Sequence, residues 1–130
     1  MKFLLDTDSV SYALRGEGGV AEQIRQHRPS ELCVSAVTLV ELRFGAERRG
    51  SRRLQRLIDV FIGDVAVAPF DTEAADRFGK VASALVSKGT PIGALDTMIA
   101  AHALQLGLIL VTHNLKHFRR VRGLEVADWV

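Results

Sequence analysis

Four short runs with no polar residue in them set the frame: Phe3-Leu4-Leu5, Leu32-Cys33-Val34, Val65-Ala66-Val67 and Leu108-Ile109-Leu110-Val111. Each is short enough for a strand and too short for a buried helix. A strand with no polar alternation has to be covered on both faces, which is the condition of a parallel sheet between helical layers. The segments between the runs have helix length and helix signals. The pattern predicts helices from Asp8 or Ser9 to about Leu14, over 20–27, from Ser35 as N-cap to about Arg49, over 52–62 and over 73–87 with Gly89 as the stop. A further helix is expected to open at Thr90-Pro91 and end at Gly107, followed by a short basic helix over 114–119 and an edge strand near Glu125–Trp129. Alternating strands and helices over 130 residues predict one α/β domain, residues 1–130, with reactive groups at the carboxyl ends of the strands.

Against this apolar background three acids are out of place. Asp6 ends the first apolar run. Glu41 has Val37, Thr38, Phe44 and Gly45 one turn away, with Val40 and Phe44 assigned to the core stripe. Asp96 has Ile92, Ile99 and Ala100 as its neighbours, and aspartate is a poor residue for a helix interior. Burying one carboxylate costs several kcal/mol, and converging carboxylates repel one another. A divalent cation among them removes both penalties, so a metal-dependent reaction on a phosphate ester is the leading expectation. Each acid also has a plainer reading: a turn or capping aspartate, a glutamate at the stripe's edge that reaches Arg43 or Arg48, a buried aspartate held by backbone or arginine. Asp8 fits the capping role better than Asp6. With hard oxygen donors, a single cysteine and no tight histidine set, Mg²⁺ or Mn²⁺ is expected rather than zinc. The ion would activate a water for in-line attack on phosphorus. Asn114, in Thr112-His113-Asn114 after the last core run, could cap the basic helix, hold a water or orient a carboxylate.

Net charge is only +2, but the cations cluster. Arg43, Arg48, Arg49, Arg52, Arg53 and Arg56 crowd one segment, and His113, Lys116, His117, Arg119, Arg120 and Arg122 another with no acid between them. Such patches suit nucleic acid, or equally a solvated helix face or an acidic protein. Arg43, Lys116, Arg119 and Arg120 are the candidate RNA contacts. With six Phe, one Trp and one Tyr, phosphate and shape contacts should outweigh base stacking. Lone Cys33, inside an apolar run, reads as a core residue in a reducing compartment. The N-terminus has too short an apolar run for a signal peptide, so a cytoplasmic location is expected.

Four motifs in order carry a resemblance: Phe3-Leu-Leu-Asp6-Thr-Asp8, Val34-Ser-Ala-Val-Thr-Leu-Val-Glu41-Leu-Arg-Phe-Gly45, Thr90-Pro-Ile-Gly-Ala-Leu-Asp96-Thr-Met-Ile-Ala-Ala101 and Leu110-Val-Thr-His-Asn114-Leu-Lys-His-Phe118. Together with the closing Gly123-Leu-Glu-Val-Ala-Asp-Trp129, the chain resembles PIN-domain ribonucleases of the VapC toxin type nearly from end to end. The resemblance implies a three-layer α/β/α fold with a central parallel sheet. It implies a Mg²⁺ or Mn²⁺ site at Asp6, Glu41 and Asp96, often with a fourth residue at the position of Asn114. It further implies cleavage of structured RNA such as tRNA, a VapB-like antitoxin that blocks the site, and homodimers that join into larger assemblies through antitoxin. Two departures stand out: Asp8 where the family often has Asn, and Asn114 where many members carry an acid. The opening Asp6-Thr-Asp8 also resembles haloacid-dehalogenase phosphatases, but no acidic pair follows Thr112 to hold magnesium. An inactive, binding-only PIN domain is the other alternative, and the intact acidic trio argues against it.

Overall fold

A computed structural model describes residues 1–130. The chain runs β1 (Phe3–Leu5), α1 (Thr7–Arg15), α2 (Val20–Gln26), a 3₁₀ turn (Pro29–Glu31), β2 (Leu32–Ser35), α3 (Ala36–Arg49), α4 (Arg52–Asp64), β3 (Ala66–Ala68), α5 (Thr72–Ser87), α6 (Ala94–Leu106), β4 (Ile109–Val111), α7 (Leu115–Phe118) and β5 (Val126–Ala127). The strands form one sheet in the order β3-β2-β1-β4-β5, parallel throughout. Strand parity divides the wholly apolar runs between two cores. Leu4, Cys33 and Leu110 pack with α5, α6 and Phe118 on one face. Phe3, Leu5, Leu32, Val34 and Val111 pack with Val10, Val20, Leu42 and Ile58 on the other. Cys33 is fully buried, and burial pushes its thiol up to about 11, so it is inert core. No helix is long and apolar enough to cross a membrane.

Several local expectations are corrected. The N-cap of α1 is Asp6, not Asp8 or Ser9: its carboxylate accepts the Ser9 N–H at 2.8 Å. The last long helix opens at Ala94, not Thr90-Pro91, because Gly93 takes φ 94°, a region closed to residues with side chains. Asp96 therefore lies in the first turn of α6, where a carboxylate is favoured by the helix dipole. Its weak mid-helix propensity does not enter.

Helix α3 presents two apolar stripes. The buried one is Val37, Thr38, Leu42 and Ala46. Val40 and Phe44 belong to the other stripe and are 63% and 68% exposed. The C-terminus lies against the turn between α1 and α2, where a Cβ on Gly19 would sit 2.9 Å from the Trp129 carbonyl oxygen.

The sheet order matters for function. From β1 the chain moves to β2 on one side and later returns through β4 on the other. The crevice beyond the carboxyl ends of β1 and β4 is the switch point, where open α/β sheets bind their ligands.

Candidate metal centre and nucleic-acid cleft

At that switch point the backbone closes tightly. The Asp6 N–H and the Ser9 hydroxyl both donate to the Val111 carbonyl, at 3.0 and 3.1 Å, which ties the start of α1 to the end of β4. Asp6 is only 4% exposed. Burial is the main reason its carboxyl is pushed up from 3.8 to about 6. Hydrogen bonds from the Thr112 side chain and from Ser9 pull the other way, and Asp8 adds repulsion.

Glu41 comes from α3, half-buried beside the crevice. Its Oε1 lies 2.6 Å from the Thr7 hydroxyl, which lies 3.1 Å from that of Thr38. Thr7 has one hydroxyl proton, so it donates to the carboxylate and accepts from Thr38. Burial raises the Glu41 pKa, the Thr7 bond lowers it, and Asp96 and Asp8 raise it again. Asp96, from α6, is raised chiefly by burial, lowered by His117 and raised by Asp8. Its Oδ2 lies 3.2 Å from His117 Nδ1.

The structure therefore gathers Asp6, Glu41 and Asp96 at one edge of the sheet, with Asp8 within electrostatic reach of all three. A buried bond holds the helices that carry the last two. The Ser35 hydroxyl accepts the Val37 N–H at 3.1 Å and donates to His102 Nδ1 at 2.8 Å. Ser35 caps α3, and His102 lies on α6 with its pKa lowered by burial, so it stays neutral and accepts.

No group of three or more Asp, Glu, His or Cys side chains is placed to hold a metal ion together. That excludes a tetrahedral zinc-type set but fits a hard ion that keeps several waters and takes one or two carboxylates at a time. The donor set is all oxygen and partly desolvated, and each acid is repelled by Asp8. Asp6, Glu41 and Asp96 are the residues that could hold Mg²⁺ or Mn²⁺.

Asn114 begins α7 without capping it; its side-chain amide lies 3.0 Å from His117 Nδ1. His113 and His117 do not form a pair on one helix. His113 precedes α7 and bonds Asp128 at 2.9 Å, while His117 faces Asp96. Among the candidate RNA contacts, Lys116, Arg119 and Arg120 are exposed on and after α7. Arg43 is directed elsewhere: its guanidinium binds Gln55 and Asp59 and joins α3 to α4.

Sequence reasoning does not single out Thr7, Thr112 or His117 as partners of the acids. Two clues were present in the chain. Thr7 follows Asp6 directly, and Thr112 follows the last apolar run as Asp6 follows the first. Thr7→Val should remove the one hydroxyl aimed at Glu41 and lower cleavage about 10- to 100-fold, the usual cost of losing a residue that orients a metal-site carboxylate. Steady-state rates on one RNA at saturating Mg²⁺ check this; an unchanged rate would show that Glu41 needs no such support.

Beside the acids opens a polar recess of about 570 Å³ lined by Asp8, Tyr12, Arg15, Arg49, His113 and Asn114. It shares Ser11, Arg15 and Arg49 with a groove of about 410 Å³ that reaches Glu41 and has Leu42, Leu54 and Leu57 in its wall. Asp8 and Glu41 thus line a continuous polar cleft that also carries Arg15 and Arg49.

Comparison with known proteins places these features in context. Residues 3–124 match the PIN domain. The chain is 38% identical to tRNA(fMet)-specific endonuclease VapC of Salmonella typhimurium, over 99% of this chain and 98% of that one. It is 34% identical to ribonuclease VapC2 of Haemophilus influenzae, over 100% and 99%. Two solved structures superpose closely. Rickettsia felis VapBC2 bound to a promoter DNA fragment has a TM-score of 0.90 at 26% identity, covering 100% of both chains. DNA-bound VapBC of Salmonella typhimurium has a TM-score of 0.89 at 37% identity, covering 100% of this chain and 99% of that one.

Proposed function

Since the chain belongs to the PIN-domain family and, within it, to the VapC ribonucleases, we propose that it is a metal-dependent endoribonuclease toxin that cuts initiator tRNA. The observation that carries this reading is the convergence of Asp6, Glu41 and Asp96 at the switch point, each with its pKa raised by burial. The substrate follows from the relatives of Salmonella typhimurium and Shigella flexneri, both named tRNA(fMet)-specific endonucleases, at 38% and 35% identity over 99% of this chain. A VapB-like antitoxin is the protein partner, in keeping with the VapBC complexes that share the fold. The phosphatase alternative is not favoured: the acids that accompany Asp6 come from α3 and α6, not from a pair after β4.

When bound, Mg²⁺ or Mn²⁺ supplies positive charge against the scissile phosphate and lowers the pKa of water. The chain's own residues do the rest. Asp6, fixed by Ser9 and Thr112, and Asp96, facing His117, would hold the ion. Glu41 is aimed by Thr7. Arg15 and Arg49 on the rim take neighbouring backbone phosphates as point charges.

Total tRNA incubated with the protein and Mg²⁺, with cut sites mapped by primer extension, should show initiator tRNA cut at one position. Chelator should stop the reaction and added Mn²⁺ should restore it. Equal cutting of elongator tRNAs would overturn the substrate, and cutting that survives chelation would overturn the metal.

A further inference from the structure

A cleft of about 300 Å³ lies between α5, the later part of α6 and the segment after α7. Arg77, Lys80 and Lys88 line one wall and Arg120 and Arg122 the other. No carboxylate lines it, and none of the five cations forms an ion pair within the chain. Arg120 is steadied by the Pro91 carbonyl at 3.3 Å, on the segment that leads into α6 and Asp96. The floor includes Val81, Leu85 and Val121, all core residues, so the cleft keeps its shape. Five like charges lining one groove create a local positive potential that attracts anions.

We propose that this cleft is a second docking site for the sugar-phosphate backbone of a folded RNA, apart from the one that holds the scissile phosphate. The inference rests on the ribonuclease reading above. Asp96 and Leu104, at the two sites, are eight residues apart on α6, about 12 Å along the helix. A mononucleotide cannot engage both. A folded RNA can, and the exposed Lys116 and Arg119 lie within or next to the short stretch of chain between His117, beside Asp96, and Arg120, in the cleft. The floor has no aromatic side chain, so the cleft reads phosphate and shape, not bases. It thereby selects structured RNA over short single strands.

The test uses Arg77→Glu/Lys80→Glu, two exposed or half-exposed positions on α5 that touch none of the acids. Binding of a full initiator tRNA transcript is measured in an Asp96→Asn background across a salt series. Cleavage of the transcript and of a short single-stranded piece of it is measured in the otherwise unchanged protein. The double reversal should weaken tRNA binding roughly tenfold or more and lower the salt slope by about two, one for each lost phosphate contact. Cleavage of the short RNA should not change, and Arg77→Lys should retain tRNA binding. Unchanged tRNA affinity and slope would overturn the proposal. So would an equal loss on the short RNA, or a loss of antitoxin affinity with tRNA binding intact. Failure of the ribonuclease reading looks different: the unmodified protein would cut neither RNA, whatever the reversal did to binding.

Discussion

Asp6→Asn is expected to abolish RNA cleavage and, in the same protein, to raise metal-free stability. Asparagine caps helices as well as aspartate does, so the bond to the Ser9 N–H survives. What changes is charge. Asp6 titrates near 6 in the fold against 3.8 ordinarily, because it is buried. Between those values the folded state binds a proton that the unfolded state has released, so stability falls as pH rises from about 4 through about 6. At neutral pH the metal-free protein has lost about 2–3 kcal/mol to this one group. Asp6→Asn should recover much of that and flatten the pH dependence. Mg²⁺ should raise the melting temperature of the unsubstituted protein and leave Asp6→Asn nearly unmoved. Cleavage should fall beyond the roughly 10- to 100-fold that outer partners of a metal site are worth. Melting curves at pH 5 and 7.5, with and without Mg²⁺, together with a cleavage assay, decide the matter. A variant that melts earlier at pH 7.5, or still cuts, contradicts it.

The second large effect is on folding. Phe118→Ala should cost about 3–5 kcal/mol, a large part of the roughly 5–15 kcal/mol that holds a domain together. Phe118 is the largest fully buried side chain and packs in the core beneath α5 and α6. Helix α7 has four residues and cannot persist on its own propensity. Phe118 is its anchor, and the same turn presents His117 to Asp96, with the Asn114 amide beside the His117 ring. Urea denaturation followed by the fluorescence of the single tryptophan, Trp129, would show a lower midpoint. A shift under about 1 kcal/mol would mean that the site around Phe118 collapses to fill the space.

The acids were legible because each breaks an apolar context, and charge in such a context has few innocent explanations. Their partners were not. A threonine after a strand or on a helix breaks no pattern, so Thr7, Thr38 and Thr112 gave no signal. Asp96 was singled out by a reason that failed together with one that held: it is in the first turn of α6, not its interior, but it does sit over Ile99 and Ala100 at the core's edge. Val40 and Phe44 misled because α3 is apolar on two sides, and spacing alone does not say which side the sheet covers. Arg77, Lys80 and Lys88 escaped notice because apolar and small residues separate them in sequence, while the fold brings them to one cleft. The sheet and its layers were easier, since each core strand is written as an unbroken apolar run.

The central position of β1 has a temporal consequence. β1 is flanked by β2, the next strand in the chain, and by β4, which follows only after α6. Half of its hydrogen-bonding edge therefore waits for residues 109–111, and Asp6 waits for Thr112 to bond it. Until β4 docks, the acidic edge of the sheet is not assembled, so this centre is completed late in folding.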